Sequence, residues 1–359
     1  MGSSDVLTLD LTVSDSNFQD DAKKILQKIR PAWDLDSVKF TVFTDGITNK
    51  LLGCHVTSDP DDVVLVRVNG EGTDIIIDRS EEQESFRVLS SAGCAPSVYC
   101  VFNNGMSYGF FPGKPLDEKS VREPVIRKLI AEEMVKLHNV RGRYAESFDG
   151  QVPSQYKERT QSYLDAAPTR FDDPQKQAQF EKLIPSKERL QRELEELVGQ
   201  LEALGMKAVL SHNDLLLKNI IYNQKTNTLR FIDYEYAFYN YEAFDIGNHF
   251  AEYAGMDEVN YDLYPGREEQ LTWLRHYLET KAKVAGEPAT RVSERDVERL
   301  YVQTNKCACA AHFFWGVWAL IQAEHSTIDF DYVEYSSIRL NEYFRRKEEF
   351  FCLQMPSSS

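Results

Sequence analysis

Val209-Leu210-Ser211-His212-Asn213-Asp214-Leu215-Leu216-Leu217-Lys218-Asn219-Ile220-Ile221-Tyr222, followed by Leu229-Arg230-Phe231-Ile232-Asp233-Tyr234-Glu235-Tyr236, is the stretch on which the reading of the chain turns. An apolar strand runs into His-Asn-Asp, an Asn stands five positions after the Asp, and a short hairpin returns to Ile-Asp. Phosphoryl transfer uses these parts in this order. One carboxylate, Asp214, sits against an acceptor hydroxyl and accepts its proton or fixes its orientation. The amide oxygen of Asn219 returns to the same place and binds Mg2+. The carboxylate of Asp233 bridges Mg2+ to phosphate. Mg2+ favours hard oxygen ligands and keeps several waters, so two protein ligands suffice. Alone, His-Asn-Asp would be a turn and Asp233 a helix cap. The combination at this spacing favours chemistry.

Upstream, the first hundred residues read mostly as strands. Val38 to Phe43 alternates apolar and polar, Val63 to Val68 is a nearly continuous β-branched run, and Asp74 to Asp78 holds three Ile. Ser97 to Phe102 precedes Asn103-Asn104-Gly105, a hairpin signal. Glu81 to Ser91 reads as a helix with Phe86 and Leu89 inward. Phe110-Phe111-Pro112-Gly113-Lys114-Pro115 punctuates the chain. Helices dominate beyond it, with Val125, Ile126, Leu129, Ile130, Met134 and Leu137 at helical spacing. The pattern predicts an α+β chain: a mobile tail over 1–20, a β-rich N-terminal lobe over 21–111 and a larger, mostly helical lobe over 112–359. Leu190, Leu194, Leu197, Leu201 and Leu204 repeat as a short heptad seam. It reads as packing on its own domain, with a homodimer contact as the alternative.

The formal charge of −16 excludes general nucleic-acid binding, which rests on Lys and Arg neutralising phosphates. No apolar run reaches the ~18 residues of a membrane helix, so no membrane insertion is expected. Six cysteines without a CxxC pair suggest neither a disulfide framework nor a zinc site. A reducing, cytoplasmic setting fits that usage.

The HxD-x4-N…D arrangement resembles the protein-kinase-like phosphotransferases, and its HND form looks like the branch acting on small molecules. Phe231-Ile-Asp-Tyr-Glu-Tyr-Ala-Phe-Tyr-Asn-Tyr-Glu-Ala-Phe-Asp-Ile-Gly-Asn-His-Phe250 is very similar to the choline/ethanolamine kinase signature. The resemblance spans about Phe43 to Phe344 and implies a bilobal protein-kinase-like fold. Three details resemble the ethanolamine branch: Leu215-Leu216 with Lys218 before Asn219, Tyr234 after Asp233, and Ser326 to Tyr332. The implied activity is ATP-dependent phosphorylation of ethanolamine, the first step of phosphatidylethanolamine synthesis by the CDP-ethanolamine route, with Mg2+. Choline kinase, an aminoglycoside kinase and a pseudokinase scaffold are the rivals.

The resemblance also implies roles. Phe43 to Lys50 takes the place of the phosphate loop, with Asn49 and backbone N–H groups toward phosphate. Arg67 stands where protein kinases carry a strand lysine and would contact the ATP phosphates; a solvated edge charge is the alternative. Glu82 would be its ion-pair partner, with Glu81 and Glu84 as competitors. Backbone groups of Gly109 and Phe111 would meet the adenine. Asp245 would support the catalytic loop from beneath, and His212 would anchor it without being the base. Ethanolamine is an ammonium ion at neutral pH, and attraction to aromatic faces contributes ~0.5–2 kcal/mol. Trp315 and Trp318, three apart on one helix, read as core on spacing alone. The resemblance assigns them to the amine, together with Tyr264, Tyr332 and Tyr335. His312 and His325 read as packing or surface residues.

Overall fold

The computed structural model describes residues 6–43, 49–56, 62–70, 77–255 and 258–357. The chain divides into two compact units, Met1–Lys114 and Pro115–Ser359.

The smaller unit is built on strands β1 (Leu7–Leu9), β2 (Lys39–Phe43), β3 (Asn49–His55), β4 (Val64–Asn69), β5 (Val98–Phe102) and β6 (Gly105–Gly109). They form one sheet in the order β1-β5-β6-β4-β3-β2. β4 is buried along Val64–Val68, which is why its sequence is a continuous β-branched run and not an alternation. The predicted hairpin after β5 is present. A Cβ on Gly105 would lie 2.0 Å from the Arg67 carbonyl oxygen, so this tight approach of β6 to β4 needs glycine.

Residues 7–20, expected within a mobile tail, are instead part of this unit. Leu7–Leu9 pairs parallel to Cys100–Phe102. Helix α1 (Phe18–Ile29) buries Ala22, Ile25 and Leu26 in one core with Leu52, Val64, Val66 and Cys100. The acidic character of this segment hid an amphipathic helix whose apolar stripe is short. Helix α2 (Arg79–Ser91) buries Phe86 and Leu89 as predicted. Asp78 caps it, accepting from the N–H groups of Ser80 (2.9 Å) and Glu81 (3.1 Å). Of the strand predicted over Asp74–Asp78, residues 74–76 lie outside the described residues.

A two-residue strand, β7 (Lys114–Pro115), marks the junction. The larger unit contains helices α3 (Pro124–His138), α4 (Arg143–Glu146), α5 (Tyr156–Ala166), α6 (Pro174–Leu183) and α7 (Lys187–Glu202). Strands β8 (Ala208–Ser211), β9 (Ile220–Asn223), β10 (Thr228–Phe231) and β11 (Phe238–Tyr241) follow. Helices α8 (Glu242–Ala251), α9 (Arg267–Val284), α10 (Glu294–His325) and α11 (Tyr332–Phe351) complete it. β8 pairs antiparallel with β11, and β9 with β10.

Helix α10 is the axis of this unit. A capping box between Ser293 and Asp296 starts it. Every residue from Val302 to Ala323 is buried, as befits a helix covered on all sides. A Cβ on Gly247 would lie 2.6 Å from the Thr304 carbonyl, so α8 and α10 touch backbone to backbone there. The leucine seam of α7 is buried inside this unit at Leu190, Leu194, Leu197 and Leu201, which leaves it no apolar face for a homodimer contact. Among the described residues no helix is long and apolar enough to cross a membrane.

Candidate active site

Strand β8 delivers the chain into His212-Asn213-Asp214. Asn213 sits at φ +65°, a left-handed conformation that Asn tolerates better than most residues. Its side chain is locked. Nδ2 donates to the carbonyls of Ser211 (3.1 Å) and Tyr236 (3.0 Å), and Oδ1 accepts from Asn240 Nδ2 (2.9 Å). From the first turn of α8, the Asp245 carboxylate accepts the backbone N–H groups of His212 (2.7 Å) and Asn213 (2.6 Å). His138 Nε2 donates to the same carboxylate at 3.0 Å, and His138 Nδ1 meets the Tyr277 hydroxyl at 2.7 Å. Burial opposes the charge on Asp245, but the bond from His138 and its neighbours outweigh it and hold the pKa below the ordinary value. His212 Nε2 donates to the Ile232 carbonyl (2.9 Å), and burial lowers its pKa, so a neutral imidazole ties the loop to the segment after β10 that carries Asp233.

This frame gathers three sequence-predicted residues. Asn219 Nδ2 donates to the Asp214 carbonyl at 2.9 Å, which turns its amide oxygen the other way. The Ile232 N–H donates to the Asn219 carbonyl at 3.0 Å, and Asp233 follows at φ +65°. The Asp214 carboxyl is half-buried, and its pKa is raised well above the ordinary value, first by burial and then by Asp233, Glu252 and Glu235. Arg339 acts against this rise. Among the described residues no three His, Cys, Asp or Glu side chains form a metal cage. The donors that are present, the Asn219 amide oxygen and the Asp233 carboxylate, are hard oxygens in an acidic setting shared with Asp214, Glu235 and Glu252. They fit Mg2+, which completes its shell with water and phosphate.

An aromatic wall adjoins these carboxylates. Trp315 and Trp318 are each only 4% exposed and lie 5.3 Å apart, edge to face. Trp315 Nε1 donates to Asn248 Oδ1 (3.0 Å) and Trp318 Nε1 to the Tyr236 hydroxyl (2.9 Å). Tyr332 meets Trp318 edge-on at 6.0 Å. Tyr335 belongs to the same group, since Arg339, Glu252, Tyr261 and Asp214 all act on its hydroxyl. Tyr264 does not. Its hydroxyl donates to Asn305 (2.9 Å), its ring packs on Phe350 (5.7 Å) and Arg346, and the charges acting on it come from Arg346 and Glu349. Tyr261, three residues earlier, faces Arg339 and Glu252 instead. His312 is buried packing against Tyr261 (5.0 Å), and His325 is exposed.

Sequence reasoning missed Tyr236, Glu252, Tyr261 and Arg339. Periodicity carried a signal for two of them. Asp245, Asn248 and Glu252 step along one face, as do Tyr332, Tyr335 and Arg339 on α11.

In the smaller unit, Arg67 is buried on β4 and ion-paired to Glu82, not a solvated edge charge. Arg79 Nη1 holds the other Glu82 oxygen at 2.8 Å. Glu82 is buried, whereas Glu81 and Glu84 are half-buried, which separates it from its competitors. Burial opposes its charge, but Arg67 and Arg79 more than offset this and lower its pKa. Asn49 opens β3; residues 44–48 of the expected phosphate loop lie outside the described residues. The Gly109 N–H donates to the Ser97 carbonyl (3.0 Å), so it is not available to an adenine. Phe111 is half-buried at the end of this unit.

A loop-borne Asp, an Asn five residues on and an Asp after a hairpin, on a protein-kinase-like scaffold, define a phosphotransferase of the small-molecule kinase class. Residues 40–344 match the choline/ethanolamine kinase family model, and the chain belongs to that family. It is 47% identical to ethanolamine kinase 1 of Mus musculus over 359 residues, covering 99% of this chain and 97% of that protein. It is 40% identical to ethanolamine kinase of Drosophila melanogaster, covering 92% and 78% respectively. The solved Plasmodium vivax ethanolamine kinase superposes with a TM-score of 0.77 at 28% identity, covering 92% of this chain and 89% of the other. A choline kinase from Cryptosporidium parvum shares the fold, with a TM-score of 0.74 at 23% identity and coverage of 92% and 95%.

Proposed function

We propose that the protein transfers the terminal phosphoryl group of ATP to the hydroxyl of ethanolamine, giving phosphoethanolamine and ADP and so starting phosphatidylethanolamine synthesis. The observation that carries the acceptor is the meeting of an aromatic wall with Glu235 and Glu252 beside Asp214. A small ammonium alcohol suits both faces: its charge lies against rings and carboxylates, and its hydroxyl reaches Asp214. The extensive identity with ethanolamine kinases supports the same acceptor.

Asp214 accepts the hydroxyl proton as the oxygen attacks the γ-phosphorus. A carboxylate whose pKa is raised holds an accepted proton better than an ordinary one. Asn219 and Asp233 would hold Mg2+, which when bound would neutralise charge on the phosphates. Arg67, held by Glu82, contacts phosphate oxygens with its planar fork. Asp245 keeps the loop in register through its backbone. The six free cysteines suit a reducing cytoplasmic setting.

Coupled ADP release with ethanolamine, choline and kanamycin tests this. Ethanolamine offers three N–H donors and choline none, and a buried acceptor left unpaired costs ~1–3 kcal/mol, so kcat/KM for ethanolamine should exceed that for choline by at least about tenfold. Equal or reversed preference would assign the protein to choline. No turnover with any acceptor would make it a scaffold.

A further inference from the structure

We infer that Arg339 is the positioning residue that aims Glu252 at the amine and thereby sets the preference for a primary over a quaternary ammonium. This rests on the amino-alcohol kinase reading above. Arg339 lies on α11 one turn beyond Tyr335 and is 3% exposed. Its Nη1 donates to Glu252 Oε1 at 2.7 Å. Its guanidinium lies 6.0 Å from the Tyr335 ring centre and also acts on the Tyr261 hydroxyl. One cation thus acts on a carboxylate and two tyrosines of the acceptor group.

The arrangement has a physical consequence. Glu252 is 8% exposed and shares its surroundings with Asp214, which Asp233 and Glu235 also crowd with negative charge. Without a fixed partner it would swing away from those charges. Nη1 donates to Oε1 and anchors that end of the carboxylate, leaving Oε2 to accept an N–H from the bound amine. Directional acceptance matters for an ammonium that donates. It matters little for a quaternary amine, which is drawn by charge and ring faces alone. Arg339 also acts on Asp214 through its charge, so a variant that keeps the charge should show its effect in amine binding and selectivity.

Arg339→Lys keeps the charge but loses the planar fork. Steady-state kinetics with ethanolamine and with choline, at saturating ATP, are the measurement. The KM for ethanolamine should rise about tenfold, and that for choline by less than about threefold, with kcat for both and the KM for ATP nearly constant, since one acceptor is misaligned. Equal losses for both amines, or a loss in kcat alone, would mean a merely structural role and overturn the inference. Removing the guanidinium outright risks a buried unpaired carboxylate and misfolding. Arg339→Met is therefore combined with Glu252→Gln, which leaves no charge stranded. If Arg339 acts through Glu252, this double variant should match Glu252→Gln alone in its amine KM values; a further loss beyond that would also overturn the inference. Failure of the wild type to phosphorylate ethanolamine or choline would instead refute the functional reading itself.

Discussion

The catalytic loop and the aromatic wall are built by different physics. The loop from His212 to Asn219 is held by directional bonds to its own main chain: Asp245 on two N–H groups, Asn213 on two carbonyls, Asn219 on the Asp214 carbonyl. The wall is held by ring packing between residues on distant elements, Tyr236, Trp315, Trp318 and Tyr332, with one hydrogen bond from each indole. Bonds to main chain fix where a reacting group stands. Packed rings fix the shape and polarity of a surface. Changes in the loop should therefore appear in kcat and changes in the wall in KM.

The strongest attempt to break that contrast is Asp214→Asn. The amide keeps the shape but cannot accept the proton, so kcat should fall by ~10²–10⁴ with the KM for ATP little changed. Stability should move the other way. The folded-state pKa of Asp214 is raised, so its stabilising contribution exists only below the unfolded value and is lost as pH rises through the folded one. Above the unfolded value this contribution is reduced, a cost that the amide removes. Each kcal/mol regained raises Tm by about 2–4 °C. Calorimetry of the unliganded variant beside its kinetics would check both. A folded variant with near-normal kcat would remove Asp214 from the chemistry.

The wall is probed by Trp318→Phe, which keeps an aromatic face and loses the bond to the Tyr236 hydroxyl. The weaker ring and the freed hydroxyl should raise the KM for the amine about tenfold, with the KM for ATP and kcat nearly unchanged, as the loss of one cation–π contact and one hydrogen bond implies. A drop in kcat with constant amine KM would place Trp318 in the loop's machinery and dissolve the distinction.

The same contrast explains what the sequence made legible. Asp214, Asn219 and Asp233 fall within one short stretch and could be read together. Asp245, twelve residues beyond Asp233, was legible only through the family resemblance. The acceptor site draws on α8, α10 and α11 and the segment around Tyr261, and no local spacing shows that these elements converge. Tyr261 and Tyr264 lie in one acidic stretch, and only the turn between them decides which faces Arg339 and Glu252. Glu252 and Arg339 escaped because a charged residue at helical spacing reads as solvated, and their mutual burial is visible only when both helices are in place. In the smaller unit, the short apolar stripe of α1 was masked by its charges.

The smallest effect on activity should come from the histidines that both regions bury. His212 and His249 lie beneath the loop and His312 behind the wall, all with pKa values lowered by burial, His249 to about 4. The sign follows from proton counting. Between the ordinary value of about 6.5 and about 4, the unfolded chain holds a proton on His249 that the folded one lacks. Its stabilising contribution is complete above pH 6.5 and declines as pH falls, by about 1.4 kcal/mol per pH unit. Urea unfolding of the wild type should therefore weaken steeply over that window, while kcat at pH 7 is untouched by this term. His249→Gln removes one titrating group, so its stability should decline less steeply by about one proton's slope, whatever the variant costs at neutral pH. Parallel profiles for wild type and variant across pH 6.5 to 4.5 would show that His249 does take up a proton in the folded protein. Water would then have to reach the base of the loop, and the loop would lose the dry, rigid support that sets it apart from the wall.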